Sequence, residues 1–245
     1  MLRLALIGYG KMGQAVHQAA QKAGHEVVAI IDPESPEATS QVINLPSLKQ
    51  ATVAIEFTQP QAVLKNLEKL AQCQTSVVIG TTGWLAQLKQ AQAIVQQNKI
   101  GVLHASNFSQ PVYVFTQAIK LVARKLAELH NFDVAIQETH HTGKADAPSG
   151  TALTLAKSVL ANFPAKKRIL VDNAEQPVPP EALQVSATRL GKVVGTHSVL
   201  FDNESDTLEL IHRGKNRQAY AAGSVAGAEW LVGKTGIFGL TDWLG

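Results

Sequence analysis

The chain has 245 residues, with Lys+Arg 22 against Asp+Glu 19 and a formal net charge of +3. Hydrophobic residues make up 45% and charged residues 17%, which excludes disorder, collagen-like repeats and a disulfide scaffold. No basic tail or acidic block implies a nucleic-acid partner. No apolar run approaches ~18 residues, so no membrane span is expected. The one cysteine, Cys73, cannot make an intramolecular disulfide or a cysteine-based metal site, and a cytoplasmic protein is expected.

The first hundred residues alternate short apolar runs with helix-like patches. Residues 4–7 read as a strand, followed by glycines and an amphipathic stretch over 12–23. Further strands are expected at 27–31, 53–57, 77–79 and 100–104, with helices at 62–73 and 85–97. Continuously apolar strands alternating with helices predict a Rossmann-type, doubly wound parallel sheet. Beyond Asn107 the pattern changes. A long helix is expected over 112–129, a strand at 134–137, a polar loop as far as Ser149, and a helix over 151–161. Strands follow at 168–171, 184–189, 193–201 and 206–212, then a small-residue helix over 217–231. This predicts a second, α+β domain with a mixed open sheet. The boundaries are placed at 1–107 with 218–245, and 108–217, the chain's end returning to cover a thin face of the first sheet.

Four stretches carry chemistry. Gly8-Tyr9-Gly10-Lys11-Met12-Gly13 follows the first strand and opens the first helix. In that setting the three glycines allow a tight turn, approach to a pyrophosphate and close helix–strand packing, with the helix N-terminus facing the phosphates. Asp32, at the end of the second strand, would accept a ribose diol. No base follows in Asp32-Pro33-Glu34, so NADH is acceptable, while Lys11 could admit NADPH. Gly80-Thr81-Thr82 and Ala105-Ser106-Asn107-Phe108 end later parallel strands, where doubly wound folds bind ligands. Asn107 suits either a nicotinamide amide or a helix cap.

The richest stretch runs from Glu138 to Thr151. His140 and His141 exchange protons near neutral pH, Lys144 is a cationic acid or carboxylate clamp, and Ser149-Gly150-Thr151 opens a helix toward an anion. No complementary set of ligands for a structural zinc is evident, so no metal is expected. Arg189 and the run Lys166-Lys167-Arg168 read as surface residues, as does the basic cluster at 212–217.

Together these stretches closely resemble the 4-hydroxy-tetrahydrodipicolinate reductase (dihydrodipicolinate reductase) family of diaminopimelate and lysine biosynthesis. Glu138 to Ala152 matches that family's signature E-x-H-H-x-x-K-x-D-x-P-S-G-T-A. The resemblance extends through Gly8 to Gly13, Phe57 to Pro60, Gly80 to Gly83, Asn107 to Ser109, Arg189 with Val194 to His197, and His212 to Arg217. It implies His140 as proton donor or acceptor and Lys144 as second proton donor. It implies that His141 contacts a small cyclic dicarboxylate, with Gly150 and Thr151 binding a carboxylate through their amides and Ser149 beside them. Cofactor contacts fall on Gly8, Tyr9, Gly10, Lys11, Met12, Gly13, Asp32, Gly80, Thr81, Thr82, Ala105, Ser106, Asn107 and Phe108, for NADH or NADPH. A homotetramer is also implied. Glu56 and Pro111 depart from the family's usual Asp and Gly. The alternatives are another Rossmann imine or amino-acid dehydrogenase, or a non-catalytic NAD(H) sensor. The sensor leaves the loop at 140–144 without a purpose.

Overall fold

A computed structural model describes residues 1–129, 131–171 and 176–245. The described residues divide into two compact units, 1–110 with 217–245, and 111–216.

In the first unit, β1 (Arg3–Ile7), α1 (Lys11–Lys22), β2 (Glu26–Ile31), α2 (Leu45–Leu48), β3 (Val53–Glu56), α3 (Pro60–Gln72), β4 (Ser76–Ile79), α4 (Leu88–Asn98) and β5 (Gly101–His104) follow in turn. The next eight elements are α5 (Gln110–Ala127), β6 (Asp133–His140), α6 (Gly150–Asn162), β7 (Arg168–Val171), β8 (Ala182–Arg189), β9 (Gly195–Asp202), β10 (Thr207–Gly214) and α7 (Gln218–Leu231). The chain ends with β11 (Gly236–Phe238) and α8 (Leu240–Leu244). The helix expected from residue 85 begins instead with a 3₁₀ turn, Leu85–Gln87. Two short helices and β11 escaped the sequence pattern, being too brief to show a period.

The six strands of the first sheet are all parallel, in the order β11-β5-β4-β3-β1-β2. Successive residues of β1 serve opposite faces. Ala5 and Ile7 pack with Val63, Leu67 and Leu70 of α3 and Val95 of α4. Leu4 and Leu6 pack with Val16 of α1 and with Val225, Ala228 and Leu231 of α7. Burial on both faces is why these strands are apolar at every position. The returning α7 supplies half of one face, and β11 extends the sheet beside β5.

The second sheet runs β10-β9-β6-β8-β7. Strands β6, β8 and β7 are parallel, whereas β9 and β10 are antiparallel to their neighbours. Ile119 of α5 and Leu155 and Val159 of α6 bury Val134, Ile136, Val185 and Val199 on one face. On the other face the central strand β6 exposes Gln137.

Two expectations are corrected here. Strand β6 does not stop at Gln137 but runs on to His140. Its alternation simply continues with polar residues, since Val134, Ile136, Glu138 and His140 all lie on the buried face. The run at 166–168 is not wholly solvated. Lys166 is 3% exposed, and its Nζ donates to the carbonyls of Pro180 and Ala182 at 2.9 and 2.8 Å and pairs with Asp133 at 2.5 Å. Two carbonyls at the chain's turn into β8 and a carboxylate at the start of β6 compensate the burial of one ammonium.

Candidate active site

The first unit is a doubly wound sheet whose strand order reverses between β1 and β3. Ligands of such folds bind outside the carboxyl ends of the strands at that reversal. A cavity of about 530 Å³ lies there, lined by Gly8, Gly10, Asp32, Thr58, Lys65 and Lys69 among others. Gly8 has φ +90°, and a Cβ on it would come within 2.2 Å of the Phe57 carbonyl oxygen. A Cβ on Gly13 would sit 2.2 Å from the carbonyl oxygen of Gly8. Gly10, by contrast, faces open space. The first and third glycines are therefore demanded by packing, and the middle one leaves the backbone bare toward the cavity.

Asp32 is fixed from three sides. Its Oδ2 accepts the Tyr9 N–H at 2.7 Å, and its Oδ1 accepts those of Glu34 and Ser35 at 2.9 and 2.8 Å. Burial pushes its carboxyl up, but these amides outweigh it and hold Asp32 below the usual carboxylate range. It is an anion pre-set at the cavity wall, with oxygen lone pairs left for a diol. Tyr9 turns its ring into the core, with its hydroxyl 2.6 Å from His17 Nδ1. Lys11 is exposed and Met12 is half-buried. Lys65 and Lys69, which line the same cavity, are cations that the sequence around Asp32 did not disclose.

Gly80 ends β4 against the Phe57 ring. Thr81 is buried, and its hydroxyl accepts the Thr58 N–H at 2.7 Å. Thr82 and Ser106 are exposed, while Ala105 is half-buried. Asn107 Oδ1 accepts the Ser109 N–H at 2.8 Å. Phe108 is 2% exposed, its ring in the core. Buried Glu56 is pushed up by desolvation, against hydrogen bonds from Thr58, Thr81 and Asn66.

In the second unit the sheet register gathers residues far apart in sequence. Glu138 on β6 lies opposite His197 on β9, and His140 lies opposite Arg189 on β8. Glu138 Oε2 is 3.2 Å from His140 Nδ1 and 3.6 Å from His197 Nε2. Its Oε1 accepts the Ser149 N–H at 3.0 Å and faces Arg189 Nη1 at 3.2 Å. Ser149 caps α6, its hydroxyl accepting the Ala152 N–H at 3.2 Å and lying 3.1 Å from His197 Nε2. Gly150 is exposed at the start of α6, and Thr151 follows half-buried. The loop from His141 turns back on itself, with the Lys144 N–H donating to the His141 carbonyl at 3.1 Å. Lys144 Nζ pairs with Asp146 at 2.7 Å.

Burial pushes the Glu138 carboxyl up, but contacts from His197 and Ser149 outweigh it and hold the group at about 2. Desolvation pushes His140 down to about 4, with the charges of His197, Lys144 and Arg189 adding to it and that of Glu138 opposing. His140 is thus neutral at neutral pH, beside a permanent carboxylate. Oxygen and ring nitrogens of Glu138, His140 and His197 lie within 4.8 Å of one another, a ligand set the sequence left unseen. The Arg189 guanidinium on the same carboxylate works against a divalent cation there.

Arg189 is accordingly not a plain surface residue: its side chain is 20% exposed and bound to Glu138. The basic cluster at 212–217 is divided, with His212 and Arg213 on β10 and Arg217 at the N-cap position of α7. A hollow of about 600 Å³ by Arg124, Asn162 and Phe163 touches none of the site residues.

Sequence profiles described as dihydrodipicolinate reductase, N-terminus and C-terminus, match residues 2–108 and 111–244. The chain belongs to the dihydrodipicolinate reductase family. It is an NAD(P)H-dependent oxidoreductase of that family. It is 35% identical to the 4-hydroxy-tetrahydrodipicolinate reductase of Christiangramia forsetii, over 98% of this chain and 97% of that one. It is 32% identical to the Staphylococcus aureus enzyme of the same name, over 97% and 98%. A dipicolinate-bound dihydrodipicolinate reductase from a Paenisporosarcina species superposes with a TM-score of 0.79 and 27% identity, covering all of both chains. An amine dehydrogenase from Mycobacterium smegmatis, at 12% identity and a TM-score of 0.58, over 96% of this chain and 94% of that one, shares the fold alone.

Proposed function

We propose that the chain reduces 4-hydroxy-tetrahydrodipicolinate to tetrahydrodipicolinate, with His140 and Lys144 handling the proton. The balanced reaction consumes substrate, NAD(P)H and one proton and yields tetrahydrodipicolinate, NAD(P)+ and water. The bound nicotinamide supplies the hydride. The observation that carries the reading is a neutral, buried His140 on the same short stretch as the Lys144 ammonium and the opening of α6.

Loss of the 4-hydroxyl as water gives a conjugated imine, and hydride addition at its C4 places negative charge toward the ring nitrogen. Lys144 stabilises that charge and delivers the proton, a role that suits an ammonium with a flexible stem. His140, uncharged at neutral pH, hydrogen-bonds the ring and takes part in proton return. Backbone amides of Gly150 and Thr151 hold one carboxylate at the start of α6, with Ser149 fixing the turn and His141 at the substrate's edge. On the cofactor side, the bare backbone at Gly10 takes the pyrophosphate and Asp32 the ribose diol. Lys65 and Lys69 on the same cavity support use of NADPH beside NADH. The dipicolinate ligand of the Paenisporosarcina relative is a planar dicarboxylate of the class this site fits.

We further propose a cytoplasmic homotetramer. No described helix is long and apolar enough to cross a membrane. Among the described residues, α5 and α6 pack on one face of the second sheet, and its central strand exposes Gln137 on the other.

Dipicolinate should inhibit competitively against the substrate in an NADH-oxidation assay. Inhibition independent of substrate concentration would count against the assigned site.

A further inference from the structure

Arg189, Glu138 and the main chain that carries Lys144 form one hydrogen-bonded unit to which the mechanism above gives no role. Arg189 Nε donates to the carbonyl of Lys144 at 3.3 Å, and Nη2 to the carbonyl of Asp146 at 2.5 Å. The same guanidinium reaches Glu138 Oε1 with Nη1 at 3.2 Å and Nη2 at 3.3 Å. That oxygen also accepts the Ser149 N–H. The other oxygen of Glu138 faces His140 and His197. One side chain at the end of β8 thus ties the end of β6, two points of the 141–149 loop and, through Glu138, the cap of α6. A rigid fork of five donors can span a carboxylate and two carbonyls at once, which an ammonium cannot do.

We propose that Arg189 and Glu138 are a positioning pair: Arg189 fixes the loop that presents Lys144, and Glu138 fixes the ring of His140. The proposal rests on the assignment of His140 and Lys144 to proton transfer. Its physical basis is that a reacting group held in place before the substrate arrives avoids losing that freedom during the reaction. Charged and titratable groups face His140 from every side: Glu138 on its own strand, His197 on β9, Arg189 on β8 and Lys144 in the loop. Glu138 favours the protonated ring, and the other three oppose it.

The test compares wild type with Glu138→Gln, Arg189→Lys and Arg189→Met. The readouts are kcat and KM with NADH, NADH affinity by fluorescence titration, and the His140 titration by NMR of its ring protons. Arg189→Lys should lower kcat by about 10- to 100-fold, with NADH affinity changed less than about twofold, because the cofactor residues belong to the other unit. Glu138→Gln should move the His140 titration down, whereas Arg189→Met should move it up. Simple loosening would expose the ring and move both variants toward the ordinary value near 6.5. Wild-type turnover in Arg189→Lys, or His140 shifts of the same sign in the two other variants, overturns the pair. If Glu138→Gln fails to fold, kcat in Arg189→Lys measured beside its NADH affinity decides, because loosening and the pair both move the His140 titration of Arg189→Met up. A wild type that does not turn over overturns the underlying assignment. An active wild type with an unimpaired Arg189→Lys overturns the pair alone.

Discussion

The turn after β1 is built from backbone, with side chains left out, whereas the strand end and loop after β6 are a mesh of charged side chains. At the first, Gly8 and Gly13 are fixed by contacts of 2.2 Å that a Cβ would make with carbonyl oxygens, and Asp32 is held by three main-chain amides. At the second, Glu138, His140, His197 and Arg189 come from three strands and hold one another. At its two glycines the first solution is steric, so there it fails by collision and not by titration. The second is electrostatic, so it fails by loss of charge or geometry and is sensitive to acid.

The largest effect expected from breaking this contrast is in Lys144→Ala. Its turnover should fall by about 10²- to 10⁴-fold, while NADH affinity by fluorescence titration stays within about twofold. Next is Gly13→Val, which forces a side chain against the Gly8 carbonyl. It should cost about 1–3 kcal/mol in a denaturant titration and weaken NADH binding. A Gly13→Val protein of wild-type stability and affinity would contradict the steric account.

Lys166→Met probes a separate buried charge of the second unit, held by Asp133, Pro180 and Ala182. It takes a donor from the carbonyl of buried Ala182 and from that of Pro180 and should lower stability by about 1–3 kcal/mol, with kcat unchanged.

Acid should act on the second unit in a defined window. Glu138 is held at about 2 against an ordinary 4.5, so the unfolded chain takes up that proton first. Its contribution is complete above about 4.5 and is lost as pH falls toward 2. His140 is held at about 4 against 6.5, and again the unfolded chain protonates first. Stability is therefore lost as pH falls from about 6.5 to 4. Melting temperatures measured from pH 7 to pH 3 should fall through both ranges. In Glu138→Gln the loss below about 4.5 should shrink. A melting temperature flat between pH 6.5 and 4 would contradict the buried, neutral His140.

The same contrast explains what could be read from the chain alone. A glycine turn between a strand and a helix, followed by Asp32, is a local pattern, so the first unit's sheet and its glycine turn were legible. The all-apolar strands announced burial on both faces for the same reason. His140, Lys144 and Ser149 were legible as a dense stretch, and the family signature named them. The partners of that stretch were not, because sheet register alone brings His197 and Arg189 to it. Read singly, Arg189 and Lys166 resemble solvated bases, and only tertiary contacts reveal their oxygens. Glu138 and His140 were expected in a loop because polar residues in alternation look like one until the face they share is known to be buried.

The most direct test of the central claim is the oxidation of NADH and NADPH with freshly generated 4-hydroxy-tetrahydrodipicolinate, run on wild type and Lys144→Ala together. The account predicts steady oxidation by the wild type that is lost in the variant despite intact NADH binding. Equal rates in the two proteins, or no oxidation by the wild type with either cofactor, would contradict it.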